Sequence, residues 1–127
     1  MWKKFNPNPI GRRVGDCTIR AICAAEGLKW DEAFDQLAAY GKRFGNLQNS
    51  NEAWGALLKD RGYKRHIIED TCPACYTVRD FCRDHPIGIF VLGTGTHVVT
   101  AIDGDYYDTW DSGDEVPIYY WEATDEL

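Results

Sequence analysis

The chain is organised around one predicted helix start, Gly15-Asp16-Cys17-Thr18-Ile19-Arg20-Ala21-Ile22. Asp16 is a favoured N-cap residue, because its carboxylate can accept hydrogen bonds from the free N–H groups of a first helical turn. We therefore predict that a helix begins at Cys17 and that its thiol faces the positive end of the helix dipole. This position lowers the pKa of a thiol and favours the nucleophilic thiolate. The N–H groups of the same turn are also suited to binding an oxyanion.

A second feature, His97, gives this cysteine a partner. A lone cysteine near a helix start is more often an inert buried residue, so the interpretation depends on His97. Glycine-rich residues 93–95 lead into an alternating run, which predicts that His97 is the first residue of a strand. After the turn Asp103-Gly104 the chain returns with Asp108 on the next strand. Together these side chains supply a nucleophile, a general base and a group that orients the base.

Strand parity selects the carboxylate that orients His97. The predicted two-residue type I′ turn pairs Ile102 with Asp105. Residues directly opposite share a face of the sheet, so Asp108 lies on the face of His97 and Asp111 lies on the other. A loop of odd length would reverse the two carboxylates. We predict that Asp108 is the orienting group.

The order of these residues resembles that of the papain-like cysteine peptidases, in which a cysteine opens a long helix and a histidine lies in a late β-hairpin. Asp108-Thr109-Trp110 is similar to the Asn-Ser-Trp of that family, which implies that Trp110 shields the third member of the triad. Cys17-Thr18-Ile19-Arg20-Ala21 also resembles the helix start of the OTU deubiquitinases. The implied fold is α+β, with N-terminal helices packed on a C-terminal antiparallel sheet.

The resemblance implies a cysteine hydrolase, either a peptidase or an isopeptidase, that cleaves an amide bond in a protein or peptide substrate. Cys17 would attack the carbonyl, and His97 would hold the thiol proton or pair with the thiolate as imidazolium. Asp108 would fix the imidazole tautomer. This chemistry needs no metal or organic cofactor.

The oxyanion hole is where the chain departs from the family. Papain-like enzymes place a Gln six residues before the cysteine, and this chain has Gly11 there. The backbone N–H of Cys17 is one expected donor, and Asn8 or Asn6 is the expected substitute for the Gln. Two alternatives stay open. One is a catalytically inactive papain-like fold that acts as a protein-binding or host-interaction module, and the other is an acyl or amine transferase with the same triad.

Composition indicates an ordinary globular chain of 127 residues, long enough for one domain with a modest core. A net charge of −6 argues against a nucleic-acid partner, which calls for a basic face. No apolar run approaches the length of a membrane span, and no apolar segment follows the first basic residues as in a signal peptide. Five cysteines, an odd number, predict free thiols in a reducing cytoplasm. We expect a cytoplasmic monomer.

Periodicity divides the single predicted domain, 1–127, into an extended arm (1–15), a helical part (16–62) and a mainly β part (63–127). Helices followed by antiparallel strands indicate the α+β class. The arm is expected to lie along the mouth of a cleft. Helices are predicted at 17–26, 31–40, 51–61 and 77–85, the second beginning at the cap Asp31 and ending at Gly41. Strands are predicted at 63–68, 88–92, 97–102, 105–110 and 118–121.

A possible metal site competes with this interpretation. Cys72, Cys75, Cys82 and His85 have the residue types of a Cys₃His zinc site. However, Cys82 and His85 also belong to a helical stripe typical of a core-facing helix, and the four ligands are closely spaced. We therefore expect no metal, and a redox role for the C-x-x-C pair is less favoured still.

Overall fold

The computed structural model describes residues 1–124, and this part of the chain contains four helices and six strands. This arrangement confirms the α+β class, while the papain-like fold stays a prediction. Residues 125–127 of the predicted domain lie outside the described residues. The helices are α1 (Cys17–Glu26), α2 (Trp30–Phe44), α3 (Asn51–Asp60) and α4 (Val78–Asp84). The strands are β1 (Trp2–Lys4), β2 (Lys64–Ile67), β3 (Ile89–Gly93), β4 (Val98–Ile102), β5 (Asp105–Asp108) and β6 (Tyr119–Glu122).

The strands form one mixed sheet in the order β1-β5-β4-β3-β6-β2, in which only β1 runs parallel to its neighbour. Its two faces pack against different helices, because successive side chains of a strand point to opposite sides. Val91 packs in a core with α1, α2 and α3, while the flanking Phe90 and Leu92 pack with α4 on the other face. The sheet is therefore covered on both faces.

The start of α1 at Cys17 is confirmed, but the predicted role of Asp16 as its side-chain cap is wrong. No hydrogen bond joins the Asp16 carboxylate to the first helical turn. The carboxylate instead accepts hydrogen bonds from Arg20 and from the indole of Trp30. These two donors each bond a different oxygen of the Asp16 carboxylate, Arg20 on Oδ1 and Trp30 on Oδ2, so the side chain is turned away from the backbone of the helix start. The helix ends at Gly27, as predicted, with a φ of 65°.

Helix α2 differs from its prediction at both ends. It begins at Trp30 with Lys29 as the N-cap, so Asp31 lies in the first turn, and it continues through Gly41 to Phe44. A Cβ atom at position 41 would lie 2.8 Å from the backbone oxygen of Asn46. Glycine is needed there because the chain after the helix folds back against it, and the stop signal is the next glycine, Gly45.

The predicted hairpin is confirmed in its turn and register. Ile102 pairs with Asp105, and both turn residues, Asp103 and Gly104, have positive φ. The extended arm is only partly as predicted. Its start forms β1, which pairs with β5 at the edge of the sheet opposite to β2. Strand β1 is too short to give a periodic pattern in the sequence.

Candidate active site

Cys17 lies where the N-terminus of α1 meets the start of β4. The helix packs along this strand, and the Thr100 hydroxyl donates a hydrogen bond to the Ala21 carbonyl at 2.7 Å. The Val98 backbone forms a hydrogen bond with the Cys17 thiol. The side chain is half-buried, so the sulfur is held in place and still reaches solvent.

His97 is fixed by the tight connection between β3 and β4. The backbone N–H of Thr94 donates to the His97 carbonyl at 2.9 Å, and the N–H of His97 donates to the Thr94 hydroxyl at 3.0 Å. Gly95 has a φ of 108°, which favours glycine. The strand itself begins at Val98, one residue later than predicted. The glycine-rich approach therefore holds the imidazole at the end of the strand.

Asp108 is the carboxylate that the structure brings to His97. Its Oδ2 lies 2.6 Å from His97 Nε2, and its side chain is 1% exposed. The carboxylate also accepts hydrogen bonds from Arg20 Nη2 at 2.9 Å, from the Ser112 hydroxyl at 2.6 Å and from the Thr109 N–H at 2.8 Å. Four donors surround it, so both oxygens are fixed in orientation.

Asp111, the alternative that an odd-length loop would have favoured, faces elsewhere. Its carboxylate accepts a hydrogen bond from the Tyr106 hydroxyl and pairs with Arg79 at 3.5 Å. This is the outcome that strand parity predicts for a two-residue turn. Trp110 lies beside the imidazole, with 5.1 Å between the centroids of its ring and that of His97. The predicted role of Trp110, shielding Asp108, stays a prediction.

Arg20 and Asp16 extend this group of charges into the interior. Arg20 Nη1 lies 2.5 Å from Asp16 Oδ1, and the two side chains are 5% and 4% exposed. The indole of Trp30 donates to the other Asp16 oxygen at 2.9 Å. Sequence reasoning missed this pair. The signal was present, since an acid and a base four residues apart occupy the same face of a helix as the buried Ile19.

The surroundings of Cys17 favour the thiolate. Burial by itself raises the pKa of the thiol. Hydrogen bonds with His97 and the Val98 backbone, together with the positive charges of His97 and Arg20, outweigh burial and lower the Cys17 pKa below its ordinary value. Burial instead dominates at Cys23 and Cys82, where it raises the pKa of each thiol to about 11.

The surroundings of His97 favour the imidazolium. Burial lowers the pKa of the imidazole, but the hydrogen bonds with Asp108 and Cys17 raise it to about 9. Burial raises the pKa of Asp108, and the hydrogen bonds from His97 and Ser112 outweigh that effect and lower it. The pKa shifts of all three groups therefore favour their charged forms, a row of thiolate, imidazolium and carboxylate.

The two asparagines predicted for the oxyanion hole lie in the arm. Asn6 Nδ2 donates to the carbonyls of Gly11 and Arg12, and Asn8 Oδ1 accepts from the N–H groups of Ile10 and Arg12. Their side chains thus hold the bend of the arm. Neither residue lines the two cavities to which Cys17 contributes.

Two cavities meet at Cys17. One, of about 600 Å³, is lined by Arg13, His97 and Trp110 among others, so the end of the arm does lie at its mouth. The other, of about 190 Å³, is lined by residues 93–98 and by Tyr119. A neighbouring, more apolar cavity of about 630 Å³ lies between the start of α1, α2 and the α2–α3 connection. Cys17 is therefore bordered by two separate cavities.

The residues of the possible zinc site are not brought together as a ligand set. Cys72 and Cys75 form a disulfide, contrary to the expectation of five free thiols. Cys82 packs in the core beneath the sheet, and His85 Nδ1 lies 2.8 Å from the Phe81 carbonyl. Within residues 1–124 no group of three or more His, Cys, Asp or Glu side chains is placed to hold a metal.

Comparison of the chain with protein-family models, with curated proteins and with solved structures found no match. Across the described residues, every helix is too short or too polar to cross a membrane.

Proposed function

We propose that the protein is a papain-like cysteine hydrolase that cleaves an amide or isopeptide bond in a protein or peptide substrate. The observation that carries the proposal is the row of charges at one cleft: the Cys17 thiol at a helix start, the His97 imidazole, and Asp108 bonded to His97 Nε2 at 2.6 Å. The bond to Asp108 leaves Nδ1 as the imidazole nitrogen for the thiol. Each group then has the partner that its role requires.

The reaction follows from this arrangement. The Cys17 thiolate forms a bond to the carbonyl carbon, and the carbonyl π electrons move onto oxygen. When the intermediate collapses, the C–N bond breaks and the imidazolium of His97 gives its proton to the leaving amine. The neutral imidazole then removes a proton from water, which attacks the thioester and releases the acid and the thiolate. Asp108 keeps the other proton of the imidazole on Nε2 throughout.

The buried charges also bear on the two alternative functions, an inactive binding module and a transferase. Burying ions has a desolvation cost, and binding a partner does not by itself require the ion pairs around Asp108. This argument favours an enzyme over an inactive binding module. An acyl or amine transferase would use the same groups, with an amine in place of water at the second step. Adding an amine to the assay and looking for the amide product separates the two reactions.

The test is selective alkylation of Cys17 by iodoacetamide at about pH 6. An ordinary thiol is almost wholly protonated there, whereas a thiol with a lowered pKa keeps a reactive thiolate fraction. We expect Cys17 to be labelled well ahead of Cys23 and Cys82 when the peptides are quantified by mass spectrometry. His97→Ala should move the pH profile of labelling upward, because the imidazolium no longer stabilises the thiolate.

Cys23 is the matched control, since it lies on the same helix with a raised pKa. Equal labelling of the three free cysteines would contradict the proposed function. Electrophilic peptide and ubiquitin-like probes then distinguish a peptidase from an isopeptidase.

A further inference from the structure

The proposed reaction places negative charge on an oxygen, and a second donor for that oxygen is still to be assigned. The backbone N–H of Cys17 supplies one, but the side chains of Asn6 and Asn8 are bonded within the arm. Donors aimed at a developing oxyanion are usually among the largest contributions to such catalysis. The structure offers a different amide for this role, on the connection between α2 and α3.

Residues 46–51, which comprise most of this connection and the first residue of α3, carry five polar side chains, and three of these hold the local structure. They are Asn46, which bonds Leu47 N and Glu52; Ser50, which accepts from Ala53 N; and Asn51, which accepts from the Trp54 indole. The remaining two, Gln48 and Asn49, make no side-chain hydrogen bond with the described residues.

Of these two residues, only Asn49 lines the cavities to which Cys17 contributes. Asn49 lines both cavities to which Cys17 and His97 contribute, whereas Gln48 lines only the neighbouring apolar cavity. Asn49 is exposed, so its amide is open to a ligand in the cleft. An amide that lines the same cavities as the nucleophile and has unused N–H donors is suited to an oxygen bonded to the carbon under attack.

The backbone of this connection is also fixed in position by its contacts with α2 and α3. Gly41 allows the backbone of residues 46–48 to lie against α2, within 2.8 to 3.1 Å of where a Cβ would be. The Ser50 cap ties the other end to the start of α3. The backbone that carries Asn49 is therefore a short segment fixed at both ends.

We propose that Asn49 Nδ2 is the second oxyanion donor, in place of the upstream Gln of papain-like enzymes. Asn49 is then a catalytic residue that touches the reacting oxygen. This inference rests on the proposed function.

The test compares two reactions of the same thiol. Alkylation by iodoacetamide forms the S–C bond as iodide leaves, and it places no charge on a carbonyl oxygen. Acylation by 4-nitrophenyl acetate passes through a tetrahedral oxyanion, which collapses to the acetyl thioester and 4-nitrophenolate. Asn49→Ala should slow acylation by about 10²-fold, near the usual effect of removing one such donor, and leave the alkylation rate of Cys17 unchanged. Gln48→Ala is the matched control and should change neither rate.

Each result decides between the two proposals. If wild-type protein shows no acylation of Cys17, the proposed function fails and Asn49 has no oxyanion to bind. If wild-type protein is acylated and Asn49→Ala reacts as fast, the proposed function stands and the role of Asn49 is wrong. A slower acylation matched by an equal loss of alkylation would mean that Asn49 supports the thiolate, and this too would overturn the assignment. The acetyl group has no peptide backbone, so a residue that only aligns a peptide would leave the acylation rate unchanged.

Discussion

Five ionisable side chains alternate in charge along one line through the protein. When the thiol is ionised, the charges alternate along the line, beginning and ending with a negative charge. In order, the residues are Asp16, Arg20, Asp108, His97 and Cys17. The first three are almost fully buried. Because every buried charge has an opposite charge on either side or a hydrogen-bond donor, the line is stable only when all its members are present.

Replacing Asp108 separates its role from that of Asp111. Asp108→Ala should lower the turnover of 4-nitrophenyl acetate by about 10² to 10⁴-fold, because the imidazole loses the acceptor that holds it in its reactive tautomer. Asp111→Ala should change turnover little, since its carboxylate faces Tyr106 and Arg79. Circular dichroism checks that both variants are folded. Loss of turnover in the Asp111 variant alone would show that the orienting group was assigned to the wrong carboxylate.

Replacing Arg20 tests the buried line itself. Arg20→Met leaves the carboxylates of Asp16 and Asp108 without their shared cation, and breaking a buried pair in this way typically costs about 3 to 5 kcal/mol of unfolding free energy. Urea denaturation measures the loss. The double variant Asp16→Asn with Arg20→Met should recover part of it, because one unpaired charge is then removed. Additive losses would mean that the two side chains are not energetically coupled.

At the scale of single elements, the hairpin was the most predictable part of the site. The turn residues determine the loop length, and the loop length determines which side chains share a face, so the sequence alone was enough to assign Asp108 to His97. The helix that presents Cys17 was equally clear from its two ends. Local signals suffice where the backbone conformation itself is local.

Other features depend on contacts distant in sequence, and local signals misplaced them. Glycine is a common signal for the end of a helix, but Gly41 lies inside α2 and allows the following loop to pack against the helix. No helical pattern in the sequence reveals that contact. Asp16 has the position of a cap, but a buried Arg20 competes for its carboxylate. Strand β1 is three residues long and forms only because β5 offers an edge.

The close approach at Gly41 gives a prediction about α2. Alanine in a helix interior is usually more favourable than glycine by about 0.5 to 1 kcal/mol. Gly41→Ala should instead destabilise the protein by about 1 to 3 kcal/mol, because its Cβ would overlap backbone atoms of residues 46–48. Thermal denaturation measures the change. Gly55→Ala in α3 is the control, since its Cβ would meet only the Trp121 side chain at 3.3 Å. A stabilised Gly41→Ala variant would contradict the proposed packing.

At the scale of the whole molecule, the site is shared between the sheet and the helical layer α1–α3 on one of its faces. The helical layer presents the thiol, Arg20 and the connection that carries Asn49, and the sheet presents His97 and Asp108. The chain order of these parts was visible in the sequence, which is why the α+β class could be predicted. The cavities on either side of Cys17 could not, because they are formed by residues from the arm, two connections and a strand end.

The pairing of β1 with β5 has a consequence for the order of events during folding. The backbone carbonyl of Asp108 accepts hydrogen bonds from the Trp2 indole at 3.1 Å and from the N–H of Phe5 at 2.9 Å. Residues 2–5 are therefore bonded to a strand about a hundred residues further along the chain, and such distant pairings form slowly. Until β4 and β5 have folded against α1, Cys17 has neither His97 nor Asp108 beside it, and its thiol lacks the contacts that lower its pKa. The surroundings that favour the thiolate therefore form only when two distant parts of the chain have met.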